Sequence, residues 1–394
     1  QVSEELGVRA LLIGRLDQRG DSLSISAELV DAEDDSVLWG NQYSRRPAEI
    51  LAVQDEIAKE ISQKLRLQLS GEEQKQLAKR YTQNPEAYQS YLQGRYHWNK
   101  RTKEGFEKAV QFFNQAIQRD PSYAQAYAGL ADTYSLMAFY EHRTPNEVYP
   151  LARTAALRAL EIDNTLAEAH NSLAWIKAFY DWDWSSAEAE FKRAIELNPN
   201  YATAHQWYGA LLSAHGQLDE GAAEIEKALA LNPLSLQINT VVGLHLVWEH
   251  QYEKAIEQLQ KTLEMDPSFF NAHEGLMLAY WDAGMYENAI TESEKLASLR
   301  SDRFSQLPIF LRQVVSGNRA EAIRTLENWR ELSSWLKAYY YALLGEKDRA
   351  IEWLNKCVDE RTSWVSLINA MPTFEPLRND PRFTDLLRRM RLAP

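Results

Sequence analysis

The chain has 394 residues, which at ~150 residues per domain allows two or three domains or one long array. Hydrophobic residues make up 45% and charged residues 25%, with 16 Gly and 13 Pro, so the chain is neither wholly disordered nor collagen- or linker-like. Lys and Arg number 43 against 56 Asp and Glu, a net charge of −13 that argues against non-specific binding to nucleic acid or an anionic membrane surface; the lone cysteine, Cys357, excludes an internal disulfide framework and a multi-thiolate zinc site.

Residues 8–18, 22–32 and 36–44 read as strands. Leu23, Ile25, Ala27 and Leu29 alternate with Ser24, Ser26 and Glu28, the period of a strand with one buried face. "RGD" (19–21) and "EDD" (33–35) are turn signals. After Pro47, residues Ile50, Val53, Ile57, Ile61, Leu65 and Leu69 share one helical face. The expectation over 1–70 is a three-stranded antiparallel sheet with one helix. Roughly 60 residues with three strands make a thin core, so this segment reads as a truncated α/β domain. Residues 71–83 are expected to form a linker helix.

From residue 84 onward the chain is periodic. Pro199, Pro233 and Pro267 are spaced 34 and 34 apart. A small residue recurs at Ala109, Ala152, Ala187, Gly221, Ala255, Ala289, Ala322 and Ala350, at intervals of 43, 35, 34, 34, 34, 33 and 28. A period of 34 with a helix–turn–helix pattern is that of the tetratricopeptide repeat, which residues 84–360 resemble. Ala109, Phe113, Ala116 and Pro121 fall at the family's small, aromatic, small and proline positions, and Ala187, Phe191, Ala194 and Pro199 repeat them. The resemblance implies about eight helical hairpins stacked into a right-handed superhelix, because one hairpin cannot bury its apolar face alone. The interval of 43 is expected to hold a longer loop centred on 139–150. Residues 361–394 are expected to cap the last hairpin, with Phe374, Leu377, Phe383, Leu386 and Leu387 buried and Arg388, Arg389 and Arg391 wet.

No phosphate loop, dinucleotide fingerprint, HExxH, GxSxG, CxxC or EF-hand loop occurs, so neither catalytic residues nor a metal or other cofactor are expected. His170, His205 and His273 share one repeat position, with Asn239 in the same slot. Equivalent residues of stacked repeats lie ~10 Å apart, too far for one metal ion, so these histidines are read as structural, packed between adjacent first helices. Asp183 is expected to cap a second helix while Trp182 and Trp184 seal the turn before it. Cys357 falls at a small core position and reads as an inert buried thiol.

In the family the resemblance points to, the first helix of each repeat lines a concave surface. Carried residue by residue onto this chain, the groove positions give Tyr88, Tyr91, Arg95, Trp98, Asn99, Asp132, Asn171, Trp175, Gln206, Trp248, Asn271, Glu274 and Trp281 as the candidate peptide-binding set. Arg95 is the only Arg or Lys among them, so the clamp for acidic C-terminal peptides known in chaperone-binding relatives is not expected. Tryptophans supply anchors and amides can bond an extended backbone, which suggests a neutral or basic, partly apolar protein or peptide partner.

"GVRALLIGRL", "GDSLSISAELVDAEDDSVLWGNQYSR" and "ILAVQDEIAKEISQKL" resemble the TolB-like α/β domain found ahead of tetratricopeptide arrays in bacterial membrane signalling proteins. "DWDW" (181–184) and "PLRNDPRFTDLLRRM" (376–390) recur in the same architecture. This resemblance implies the C-terminal, non-catalytic region of a membrane-anchored Ser/Thr protein kinase, with a winged-helix regulator or a nucleotide cyclase as alternative parents. It also implies a place outside the cytoplasm, with a cytoplasmic scaffold as the alternative. No run approaches the ~18 apolar residues of a transmembrane helix, and the start at Gln1 rather than Met reads as a fragment. A homodimer formed through the incomplete sheet or the degenerate last repeats is the rival to peptide capture.

Overall fold

The computed structural model describes residues 10–19, 22–34, 36–46, 49–64 and 82–392. It divides into two compact units, Gln1–Gly129 and Leu130–Pro394.

In the first unit, β1 (Ala10–Arg19), β2 (Ser22–Asp31) and β3 (Val37–Arg45) form an antiparallel meander in that order. The register sets Leu12 opposite Leu29 and Leu16 opposite Ile25, then Ile25 opposite Tyr43 and Leu29 opposite Trp39. The expected alternation therefore holds. Ala27, Leu29, Trp39 and Tyr43 bury one face against Val53 of α1 (Ile50–Lys64), with Ile25, Ile57 and Ile61 at the margin. Trp39 Nε1 donates to Glu60 at 3.0 Å and ties the helix to the sheet. Leu65, Leu69 and the expected linker helix, apart from Thr82 and Gln83, lie outside the described residues.

The first hairpin is α2 (Pro85–Asn99) and α3 (Lys103–Arg119). Asn84 caps α2 by accepting from the Glu86 and Ala87 amides, and Pro85 supplies a preset φ at the first helical position. Thr102 caps α3 through the Gly105 amide. Phe113 of α3 fits because two glycines flank it: a Cβ on Gly94 or on Gly129 would sit 2.6 Å from its ring. Helix α4 (Ala124–Phe139) runs from this unit into the next.

The second unit continues the hairpins. Helix α5 (Pro145–Ile162) follows α4; then come α6 (Ala167–Ile176) with α7 (Trp184–Leu197), α8 (Ala202–Ala214) with α9 (Leu218–Leu231), and α10 (Leu236–Trp248) with α11 (Tyr252–Met265). Next are α12 (Phe270–Asp282) with α13 (Tyr286–Leu299), α14 (Leu307–Val315) with α15 (Arg319–Asn328), and α16 (Ser334–Leu343) with α17 (Lys347–Glu360). Each of the seven repeat-marking alanines has no exposed surface, and Gly221 is buried with them. The interval of 43 corrects the sequence expectation. Its extra residues do not form one long loop; most lengthen α4 and α5, the latter starting at Pro145 behind the Thr144 cap position. The reason is that proline is tolerated, and favoured, in the first helical turn.

The tail also does more than cap. Ser363–Leu367 and Pro372–Leu377 are 3₁₀ turns and Pro381–Arg389 is α18. Phe374, Leu377, Phe383 and Leu386 are buried as expected. The same segment reaches back to earlier hairpins of its unit. Trp364 Nε1 donates to the Phe139 carbonyl at 2.9 Å, Ser363 and Tyr149 share a hydrogen bond of 2.8 Å, and Trp184 Nε1 donates to the Met390 carbonyl at 2.7 Å. Arg361 donates to the Tyr180 carbonyl and lies 3.9 Å over the Trp182 ring.

Candidate functional site

Within the first unit, Tyr88 donates to Gln54 of α1 at 2.7 Å, so that groove position is already engaged by the N-terminal helix. Tyr91 leans on Phe113 and Tyr123, and Arg95 lies 4.3 Å over the Trp98 ring. Trp98 is 2% exposed, with the Arg101 guanidinium 3.5 Å from its ring centroid. Asn99 is exposed.

The candidates of the second unit fall into two groups. The first group is buried by the chain itself. Asp132 accepts from Ser172 Oγ at 2.6 Å. Asn171 has no exposed surface, and Gln206 is buried beside Trp207. Trp175 packs on Phe179, Trp207 and Phe139 with ring centroids 4.1, 4.6 and 5.3 Å away. Asn271 donates to Gln237 at 2.8 Å and to the Tyr140 hydroxyl at 3.2 Å. The neighbouring Glu141 pairs with Arg303 and accepts from Ser333. Trp98, Asp132, Asn171, Trp175, Gln206 and Asn271, all expected to face a ligand, are thus buried by the chain's own side chains. Periodicity puts them on the inner face of their helices, but in the second unit the 140–144 loop, the tail and neighbouring side chains occupy that face, and in the first unit Arg95 and Arg101 cover Trp98.

The second group remains accessible: Trp248 on α10, and Glu274 and Trp281 on α12, are half-buried. Leu278 and Asp282 share the α12 strip with Glu274, one turn apart each, and are also half-buried. Trp281 meets Tyr286 at 5.0 Å between ring centroids. Burial pushes the Glu274 carboxyl up to about 7, against the pull of Arg300. It pushes Asp282 up to about 6, against the pull of His250. Both carboxylates also raise the phenol of Tyr339, whose own burial is the larger cause. The strip is thus an aromatic surface carrying two under-solvated carboxylates.

Among the described residues no group of His, Cys, Asp and Glu could hold an ion. His170, His205 and His273 do not pack only between first helices, as the sequence suggested. His170 contacts Glu190 through Nδ1 at 2.6 Å and the Asn164 carbonyl through Nε2 at 3.1 Å. His205 repeats this with Glu224 and Pro199 at 2.6 and 2.9 Å, and His273 with Glu292 and Pro267 at 2.7 and 3.0 Å. Each ring joins its own second helix to the turn that precedes its hairpin. The glutamates were missed in the sequence, although each follows its histidine by 19 or 20 residues in three repeats.

Asp183 caps α7 through the Ser186 amide, Trp182 and Trp184 are buried, and Asp181 is held by Arg153 at 2.7 Å. Cys357 has no exposed surface, and burial pushes its thiol up to about 12, which removes thiolate reactivity at neutral pH.

Models of the tetratricopeptide repeat match residues 190–222, 243–303 and 333–361. Among curated proteins, the chain is 29% identical over 177 residues to one from Rhizobium meliloti (strain 1021) named "Putative adenylate cyclase 3", covering 44% of this chain and 30% of that protein. It is 27% identical over 130 residues to the transcriptional regulator HilA of Salmonella typhimurium, covering 33% of this chain and 23% of the regulator. The chain therefore matches less than a third of the length of either relative. Among solved structures, YrrB, described as a TPR protein with an unusual peptide-binding site, aligns with 51% of this chain and 97% of its own at 19% identity and a TM-score of 0.34. A human IFIT1 dimer with m7Gppp-AAAA aligns with 73% of this chain and 68% of its own at 16% identity and a TM-score of 0.48. The repeat models, the 34-residue period and the buried small residues at the crossing of each hairpin agree: residues 190–222, 243–303 and 333–361 match the tetratricopeptide repeat, and the described helices are arranged as a tetratricopeptide-like array.

Proposed function

We propose that this chain is a non-catalytic interaction region that holds a partner polypeptide on the half-buried strip of α10 and α12. The observation that carries this is that Trp248 on α10 and Glu274, Leu278, Trp281 and Asp282 on one face of α12 are left half-buried. Aromatic anchors gain most from a partner that completes their burial. Carboxylates raised by desolvation gain from a cationic side chain brought alongside. The partner is a segment bearing Lys or Arg next to apolar residues. Of the other expected groove residues, Arg95 and Asn99 belong to the first unit and Tyr88 and Tyr91 contact its own helices.

Titration calorimetry with basic–apolar, neutral and acidic peptides tests this reading. Binding of the basic–apolar class, weakened about tenfold by Trp281→Ala, is the expected result, since one anchor contributes ~1–2 kcal/mol. Equal affinity for the acidic class overturns it. A triphosphorylated oligonucleotide belongs in the same panel, and its tight binding would overturn the expectation drawn from net charge. The finer setting, a bacterial signalling protein with its effector elsewhere in the polypeptide, rests on the TolB-like resemblance. The two curated relatives carry names of a cyclase and a transcriptional regulator, which match the alternative effectors more closely than the kinase. Placement outside the cytoplasm rests on the same resemblance; among the described residues no helix is long and apolar enough to cross a membrane.

A second reading, self-association, is favoured by β1. Among the described residues its outer edge has no strand partner, and Leu12, Ile13 and Leu16 are 53%, 54% and 57% exposed. Such an edge templates pairing. An antiparallel copy with Leu16 opposite Leu16 would set each Arg15 against an Asp17. Sedimentation velocity should then show a dimer that Leu16→Lys abolishes, and a monomer at all concentrations excludes it.

A further inference from the structure

A neutral imidazole has one N–H and one acceptor nitrogen. At His170, His205 and His273 both ring nitrogens face acceptors: a glutamate on one side and a main-chain carbonyl on the other. The carbonyls have no proton to offer. The glutamates are kept ionised by a lysine on the second oxygen, Lys177 on Glu190 at 2.8 Å, Lys227 on Glu224 at 2.7 Å and Lys295 on Glu292 at 2.8 Å. Only the doubly protonated ring satisfies both contacts. We propose that His170 and His273 are imidazolium clasps, and that these two joints of the array tighten in mild acid and slacken as the pH rises.

The chain contains its own control. At the same position in the α10–α11 hairpin the pair is Asn239 and Gln258. Asn239 Nδ2 donates to the Pro233 carbonyl at 2.8 Å, and Gln258 Nε2 donates to Asn239 Oδ1 at 2.7 Å. Both contacts of the clasp survive there without a titrating group. The amide pair replaces histidine and glutamate together, as expected if the two act as one unit.

At His170 and His273 the glutamate outweighs the groups that oppose it. The Glu190 hydrogen bond raises His170, burial and Arg193 opposing it; the Glu292 hydrogen bond raises His273, burial and Lys295 opposing it. The His170 bond, aided by Lys177, lowers Glu190. Burial works to raise Glu224 and Glu292, yet both are lowered because the lysine and histidine bonds outweigh it. A histidine raised on folding adds stability that is complete below its unfolded value near 6.5 and is lost as pH rises through the folded value. A glutamate lowered on folding adds stability that is lost only as pH falls below about 4.5. The clasps are therefore whole in the window between.

Three other histidines oppose this trend. His97 and His215 are lowered by burial, and His245 is lowered by burial to about 4, so each destabilises the fold as pH falls below about 6.5. The whole-protein curve mixes both sets, and a comparison isolates the clasps.

The variant carries the native amide pair at both sites: His170→Asn with Glu190→Gln, and His273→Asn with Glu292→Gln. Melting temperatures of the full chain and this variant are measured from about pH 5.5 to about pH 8.5. The difference in Tm, parent minus variant, should be greatest at the acid end and shrink by on the order of 5 °C across the range. A difference that does not change with pH overturns the proposal. Nitrogen-15 NMR of the unaltered protein gives a second test that needs no variant to fold. Near the free-imidazole midpoint of about 6.5, His170 and His273 should be mainly doubly protonated; mainly neutral rings there overturn it.

Discussion

Glu274 and Asp282 show how the environment of one residue sets its behaviour. Both sit on a helix face with few donors, and burial raises both. An acid raised on folding makes the native state bind more protons, so stability falls as pH rises between the unfolded and folded values. Glu274→Gln should therefore stabilise the protein by about 1 kcal/mol at pH 8 and change little near pH 4, as read from urea melts. Binding of a basic peptide should weaken as pH falls through about 7 and then about 6, as Glu274 and then Asp282 gain their protons. Gly284 makes a different point: its φ is 76° and a Cβ there would meet nothing within 4 Å. Gly284→Ala should cost about 1 kcal/mol purely through backbone conformation.

At the scale of elements, the turn between the two helices of each hairpin holds a left-handed residue. These are Arg101, Glu141, Trp182, Gly216, His250, Gly284, Gly317 and Gly345. Such a residue closes the last turn of the first helix and frees the chain to reverse. Only half of the eight are glycine, which is why the turns were less visible in the sequence than the alanines. The alanines were legible because a hairpin crossing admits nothing larger, a demand that repeats every 34 residues. Phe113 shows the same demand from the other side. Wedged against Gly94 and Gly129, it should cost about 3–5 kcal/mol when replaced by Ala, and Phe113→Leu should cost less, both measured by denaturant unfolding. The meander was legible too, since Leu23 to Leu29 alternate with a period that only a half-buried strand satisfies. The lengthened α5 was not, because "TPNE" reads equally well as loop or as helix start until its packing is known.

For the Leu130–Pro394 unit as a whole, the tail is the decisive feature. It ties the last hairpin to Phe139, Tyr149, Tyr180, Trp182 and Trp184 of its second and third hairpins. Trp364→Ala should therefore speed hydrogen exchange at the C-terminal end of α4 and in α6 and α7, far along the chain from the altered residue. Faster exchange confined to α16–α18 would mean the tail acts only as a local cap. Composition, the 34-residue period and strand alternation determined the fold class, the hairpin count and the residues that must be small. Those are local or periodic demands, and a linear string records them. Which inner-face residues stay open was decided only in three dimensions. Contacts such as Glu141 with Arg303, or Trp364 with Phe139, join positions 162 and 225 residues apart. No spacing rule connects such residues, so their burial follows from how the chain returns upon itself.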